Sequence, residues 1–156
     1  MESNVFHLQD CIEGMMSLPE KSIDTVVTSP PYNLNIQYSK YKDKKPRDQY
    51  LSWLHDVFVG VDHCLKDDGH FLFADMIKDG ELDEIVTGLK ESGFKIVHQT
   101  EITPNVVKAL DIDTVRREEL VTNLVPKFLK GGFLQFAGAK GTERYESFAT
   151  GRMQYW

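Results

Sequence analysis

Cysteine is scarce in this chain. Cys11 and Cys64 are the only two, and they stand far apart. That is too few for a disulfide framework or a cysteine-based zinc site. Long apolar runs are missing as well, so no segment is expected to span a bilayer. The opening Met1-Glu2-Ser3-Asn4 lacks the basic and apolar regions of a secretory signal. A cytoplasmic, reduced protein with no membrane partner is expected. Positive charge is short: 18 Lys and Arg face 24 Asp and Glu, a net −6. An acidic surface argues against non-specific nucleic-acid binding by the whole molecule, though not against a local basic patch. No internal repeat or low-complexity segment is present. His55 and His63 have no convergent partners in the sequence, so they read as helix-surface or boundary residues and no metal is expected.

What is present suits one α/β domain over residues 1–156, long enough to bury a sizeable core. Its focus is Thr28-Ser29-Pro30-Pro31-Tyr32, directly after the β-branched run Ile23-Asp24-Thr25-Val26-Val27. That run reads as a buried strand. Two prolines cannot continue a ladder, because neither has an N–H and both fix φ. A stiff turn therefore follows at the strand's carboxyl end, the edge at which open α/β sheets bind ligands. A hydroxyl, bare carbonyls and an aromatic ring on such a turn suit a planar ring that bears an amino group.

Upstream, Val5 to Leu8 is a short strand candidate, followed by Asp10 and a brief helix from Ile12 to Ser17. Downstream, Asn33 to Arg47 is polar. Lys40, Lys42, Lys44, Lys45 and Arg47 alternate there with Tyr38 and Tyr41. Cations can meet phosphates and tyrosines can stack on bases; the same composition also suits a solvated loop. The position beside the proline turn favours substrate contact. Asp48 to Leu65 is the clearest helix, with Asp48 as N-cap and Tyr50, Leu54, Val57, Phe58, Val61 and Leu65 on one face. Lys66 to Gly69 then turns the chain into a strand from His70 to Ala74, and Asp75 beyond it reads as a loop residue. Glu81 to Ser92 is a second helix, with Gly93 as its C′ residue. Phe94 to Ile102 reads as a strand. Two helices follow, Thr103 to Leu110 and Thr114 to Leu124, with Pro104 in the first turn and Pro126 as terminator.

Ser-Pro-Pro-Tyr after an apolar strand resembles the catalytic motif of the S-adenosylmethionine-dependent DNA amino-methyltransferases. The likeness extends from about Phe6 to Phe73 and includes Leu8-Gln9-Asp10-Cys11, Asn33-Leu34 and Leu65-Lys66-Asp67-Asp68-Gly69. It implies a three-layer, Rossmann-like fold with a mainly parallel sheet. It also implies methyl transfer from S-adenosylmethionine to cytosine N4 or adenine N6 of DNA. Ser rather than Asp at position 29 leans toward cytosine. In that reading Ser29, Pro30, Pro31 and Tyr32 are catalytic, and the basic residues from Lys40 to Arg47 meet DNA. Asp10 and Ser29 face the cofactor; as an alternative, Asp10 caps the helix after it. From about His70 onward the sequence resembles a small-molecule branch of the S-adenosylmethionine methyltransferases. That likeness rests on Gly69 to Asp75, Ile102 to Val106, Arg116-Arg117 and Gly138 to Tyr145.

One family feature is missing. These enzymes hold the cofactor's methionine part over a glycine-rich turn, where a bare backbone lets the ligand approach. No such turn precedes Ser29. The late candidate is Phe136-Ala137-Gly138-Ala139-Lys140-Gly141-Thr142, which names Gly138 and Gly141 as cofactor residues. The missing turn also leaves open a small-molecule methyltransferase or an inactive binding or structural domain. The connecting helices place Ile23–Val27 parallel to His70–Ala74. Val5–Leu8 is expected in the same sheet, paired directly or through tail strands Gly132–Phe136 and Met153–Trp156. Otherwise an oligomer or partner chain completes the sheet.

Overall fold

The computed structural model describes residues 5–35 and 43–156. The chain divides into two compact units. The first holds residues 1–74 and 82–97, and the second 75–81 and 98–156.

In the first unit, α1 (Cys11–Met16), β1 (Ile23–Thr28), α2 (Arg47–Cys64), β2 (Leu65–Phe73) and α3 (Leu82–Glu91) follow one another. The apolar face expected on α2 is buried throughout, with Tyr50, Leu54, Val57, Phe58 and Val61 in the core and Leu65 just past the helix end. Ile12 and Met15 of α1, Val26 of β1 and Phe71 of β2 pack on the Val57–Val61–Leu65 cluster. Phe58 meets Phe71 and Phe73 edge-on, at centroid separations of 6.1 and 5.4 Å. That is the arrangement ring quadrupoles favour. Gly60 lets α1 approach, since a Cβ there would lie 2.9 Å from the Met15 methyl carbon.

β1 and β2 pair in parallel, with Thr25 opposite His70, Val26 opposite Phe71 and Val27 opposite Leu72. The expected neighbours and direction are both observed. β2 starts earlier than expected, at Leu65 directly after the last residue of α2. Ile23 already pairs with Leu65, and residues 66–69 form an irregularity before Thr25 meets His70. The start of β1 is tied to the end of α2, as the Lys21 and Ser22 amides donate to the His63 and Cys64 carbonyls at 3.0 and 2.9 Å. Beside this junction Lys66 Nζ lies 2.5 Å from Asp24. Its hydrogen bond holds the carboxyl below its ordinary range. One sheet face packs on α2; on the other, Val27 is 72% exposed and Leu72 52%, so the run Ile23–Val27, expected as a buried strand, is covered on one face only and none of its residues is fully buried.

The second unit contains β3 (Met76–Lys78), α4 (Thr103–Leu124), a 3₁₀ turn at Lys127–Leu129, α5 (Lys130–Ala137), α6 (Glu143–Ala149) and β4 (Met153–Tyr155). β3 and β4 form an antiparallel pair, Met76 opposite Tyr155 and Lys78 opposite Met153. The Asp75 and Trp156 main chains extend it by two 3.0 Å bonds.

Several expectations are corrected. Val5–Leu8 forms no strand; Phe6 is 87% exposed and Leu8 92%. Apolar character alone cannot hold an extended segment that lacks a ladder partner. Phe94–Ile102 is irregular for the same reason: Phe94 packs on Phe71, while Val97 is exposed. Gly132–Phe136 is helical within α5, and the tail strand β4 pairs with β3. Among the described residues, therefore, neither Val5–Leu8 nor the tail extends the β1–β2 pair. Asp48 lies in the first turn of α2, whose N-cap is Pro46. The two helices expected between Thr103 and Leu124 are one. Asp113 spans the expected break, accepting from Arg116 Nε at 2.6 Å and Arg117 Nε at 2.7 Å. These i,i+3 and i,i+4 pairs support a continuous helix.

The two arginines hold the Asp113 carboxyl at about 2. A folded-state value below the unfolded one gives stability that is complete above the ordinary aspartate range and lost as pH falls toward about 2. Asp113→Asn should flatten that acid limb in a circular-dichroism titration. An unchanged limb would show that these pairs do not support α4.

Candidate active site

The turn Ser29–Tyr32 leaves β1 at the carboxyl edge of the parallel pair. The Ala74 amide donates to the Thr28 carbonyl at 3.1 Å, so the two strands end together there. Pro30 is buried, Tyr32 half-buried and Ser29 exposed. The hydroxyls of Ser29 and Tyr32 hydrogen-bond to each other across the two prolines. A hydroxyl offers one proton and two lone pairs. The bond ties the Tyr32 ring to the start of the turn.

The chain beyond Tyr32 is held by residues that sequence reasoning passed over. Asn33 and Asn35 adopt left-handed φ angles of 58° and 62°, a region asparagine tolerates better than most residues. Asp43 is only 2% exposed. Its carboxylate accepts the Asn33 and Leu34 amides at 2.9 and 3.0 Å, and its carbonyl accepts the Asn35 amide at 2.6 Å. Asn33 also faces Lys45. Its side-chain oxygen accepts the Lys45 amide at 2.6 Å, and its Nδ2 donates to the Lys45 carbonyl at 2.9 Å. The one available signal was asparagine and aspartate in a polar stretch; the partners are too distant in sequence to leave a periodic trace.

The remaining candidates fall at several places. Lys40 and Lys42, with Tyr38 and Tyr41, lie outside the described residues. Lys44 is exposed. Lys45 Nζ lies over the Trp53 ring, 5.0 Å from its centroid. Arg47 is paired with Glu84 at 2.7 Å and lies over the Tyr50 ring. One Asp10 carboxylate oxygen caps α1, accepting the Ile12 and Glu13 amides at 2.9 and 3.2 Å. Next to it, burial and then the Asp10 charge push the Cys11 thiol up. Gly138 and Gly141 belong to the second unit. Gly138 is the left-handed C-cap of α5, and Gly141 lies in the turn before α6. The turn thus joins two helices rather than following a strand. Arg117 donates to the Ala137 carbonyl, and Lys140 N lies 3.4 Å from Thr114 Oγ1. A Cβ at Gly138 would touch Leu110 at 3.4 Å, whereas the Cβ side of Gly141 is open. Among the described residues, no group of three or more His, Cys, Asp or Glu could hold a metal ion. Nor is any described helix long and apolar enough to cross a membrane.

The family model for the DNA methylases matches residues 23–110, more than half of the chain. The chain is similar to the type II methyltransferase M.MjaVI of Methanocaldococcus jannaschii, with 43% identity over 54 residues, 35% of this chain and 28% of that one. It is also similar to the type II methyltransferase M.BglII of Bacillus subtilis, with 36% identity over 67 residues, 42% of this chain and 18% of that one. A third similarity is to the probable phthiotriol/phenolphthiotriol dimycocerosates methyltransferase 2 of Mycobacterium ulcerans. It runs at 30% identity over 82 residues, 53% of this chain and 32% of that one. The chain spans less than a third of the length of the curated relatives it matches.

The hydroxyl pair gives a direct test. Ser29→Ala and Tyr32→Phe should each lower unfolding stability by about 0.5–1.5 kcal/mol. Combined, they should lose less than the sum of the two single losses, because both remove the bond they share. Strict additivity in a double-mutant cycle would show that the two hydroxyls act independently.

Proposed function

The chain belongs to the DNA methylase family, and on that premise we propose that it carries the base-binding turn of a DNA amino-methyltransferase. The reaction is methyl transfer to cytosine N4 or adenine N6. The observation that carries this reading is the placement of Ser29–Tyr32 at the carboxyl edge of a parallel strand pair, closed by its own hydroxyl bond. In this reading the target base is flipped out of the duplex. Ser29 Oγ and the Pro30 carbonyl accept its amino protons, which turns the nitrogen lone pair outward. Tyr32 stacks on the ring, and Pro31 keeps the turn stiff. No strong base is required to start the transfer, since orientation of the nitrogen does the work; as the nitrogen–methyl bond forms the methyl–sulfur bond of the donor would break to leave a neutral thioether, and the methylated nitrogen gives up one of its protons to water.

S-adenosylmethionine is the methyl donor the family implies; when bound, it supplies an electrophilic methyl on a sulfonium sulfur. The residues present fit it unevenly. In the first unit, Asp10 and Ser29 are the proposed contacts, and the Asp10 cap leaves its second carboxylate oxygen outside the cap bonds. Taken by itself, the second unit carries Gly138 and Gly141 as a separate candidate glycine turn, supported by positive φ at both and by the open Cβ side of Gly141. That turn lacks the strand that precedes it in the family. The three-layer, Rossmann-like arrangement belongs to the same proposal, supported by the parallel β1–β2 pair and its return through α2.

DNA is the proposed partner, met by Lys44 and, on sequence grounds, by Lys40 and Lys42. Lys45 and Arg47 keep a share of this role with their charges already placed against Trp53, Tyr50 and Glu84.

Two measurements test the reading. Transfer of labelled methyl groups to DNA should be detectable with wild-type protein. Tyr32→Ala should lose base stacking of about 1–3 kcal/mol while still folding cooperatively, its thermal transition lowered at least as far as that of Tyr32→Phe; equal transfer by the folded variant would rule out the stacking role. For the phosphate contact, Lys44→Ala should reduce the slope of log affinity against log salt by about one. A slope identical to wild type would leave Lys44 a solvated residue.

A further inference from the structure

We propose that Asp43 is a positioning residue of the Ser29–Tyr32 turn, acting through the backbone of Asn33 to Asn35. The inference rests on the base-binding reading of that turn. A carboxylate 2% exposed is costly to bury unless its lone pairs are used. Here both oxygens are used on successive amides, those of Asn33 and Leu34, and the Asp43 carbonyl takes the third, from Asn35. The three donors belong to the three residues directly after Tyr32. Two of them, Asn33 and Asn35, hold left-handed φ angles. Such angles persist in non-glycine residues only where the surroundings over-determine them. Asn33 is fixed a second time by its paired bonds to the Lys45 main chain.

The clasp lies outside the apolar core. The Val57–Val61–Leu65 cluster and the aromatic contacts of Phe58 are made by α1, α2, the two strands and Phe94. Neither Asp43 nor Asn33 contributes to them. The segment that gains from the clasp is the one joined to it, where Tyr32 must present its ring at a fixed angle. The backbone is stiff on one side of Tyr32 because of the prolines. It is stiff on the other side because of Asp43. A stacking platform pinned at both ends loses less freedom when a base arrives.

The test uses the whole chain and single-stranded oligo-dC and oligo-dA as probes, with affinity read by fluorescence anisotropy. Asp43→Ala should weaken binding of the preferred oligonucleotide about tenfold. Asp43→Asn keeps one acceptor and should recover part of that loss. The Tyr32→Ala and Asp43→Ala changes combined should weaken binding no more than Tyr32→Ala alone, because Asp43 acts through the tyrosine. Amide exchange should speed up at Asn33, Leu34 and Asn35 in Asp43→Ala while Val57, Phe58 and Val61 stay protected. Should Asp43→Ala fail to fold, Asp43→Asn carries the same comparison with a smaller loss. Wild-type binding that is unaffected by either Asp43 variant, or losses that simply add in the double variant, would overturn the positioning role and leave the base-binding reading standing. A wild type that binds neither oligonucleotide would overturn both.

Discussion

The first unit depends on how β1 is attached to the end of α2. The Lys21 and Ser22 amides bond to the His63 and Cys64 carbonyls, and Ile23 pairs with Leu65 immediately afterward. That junction sets the register of the parallel pair at its amino end. A shift of one residue would reverse which side chains face α2, because the strand period is two. Val26 would leave the core cluster and Val27 would enter it. The register also decides where the strands end, and so where Ser29 begins. Packing of α2 and placement of the proline turn are thus one constraint met at two ends of the same strand.

The second unit is held by different means. Its sheet is a short antiparallel pair, its helices bury Val121, Ala139, Tyr145 and Phe148, and polar ties also link those helices. Tyr145 donates to Asp111 at 2.8 Å, and Lys140 pairs with the same carboxylate at 3.0 Å. Hydrogen bonds from Tyr145 and Lys140 hold the Asp111 carboxyl below its ordinary range. These ties fasten the turn around Gly138 and Gly141 to α4.

The strongest parts of the fold were legible in the sequence because their signals are local. The β-branched run before Ser29, the apolar face of α2 and the glycine after α3 each announce their element within a few residues. The parallel direction followed from the helix between the strands. Val5–Leu8 and Phe94–Ile102 misled because an apolar run makes a strand only where a neighbour offers a ladder, and a neighbour is not written in the run itself. The length of α4 was hidden by the Asp111-Ile112-Asp113 step, whose aspartates look like a break until Arg116 and Arg117 are seen to answer Asp113. Within the candidate site, Ser29 to Tyr32 were legible as a turn. The clasp from Asp43 was not, because side chain-to-backbone bonds across ten positions follow no period.

Asn33 shows how narrow chemical tolerance can become at one position. Its side chain must both accept from and donate to the Lys45 main chain, and its backbone must remain left-handed. Glycine satisfies the backbone and provides neither bond. Aspartate keeps the acceptor and loses the donor. A single-nucleotide change from an asparagine codon reaches lysine, aspartate, histidine, tyrosine, serine, threonine or isoleucine. None of these combines a short primary amide with ease at that backbone angle. Apart from the synonymous third-position change, no single-nucleotide step at this codon is therefore neutral for the turn, and a random mutagenesis library should return residue 33 almost unchanged among variants that keep the turn.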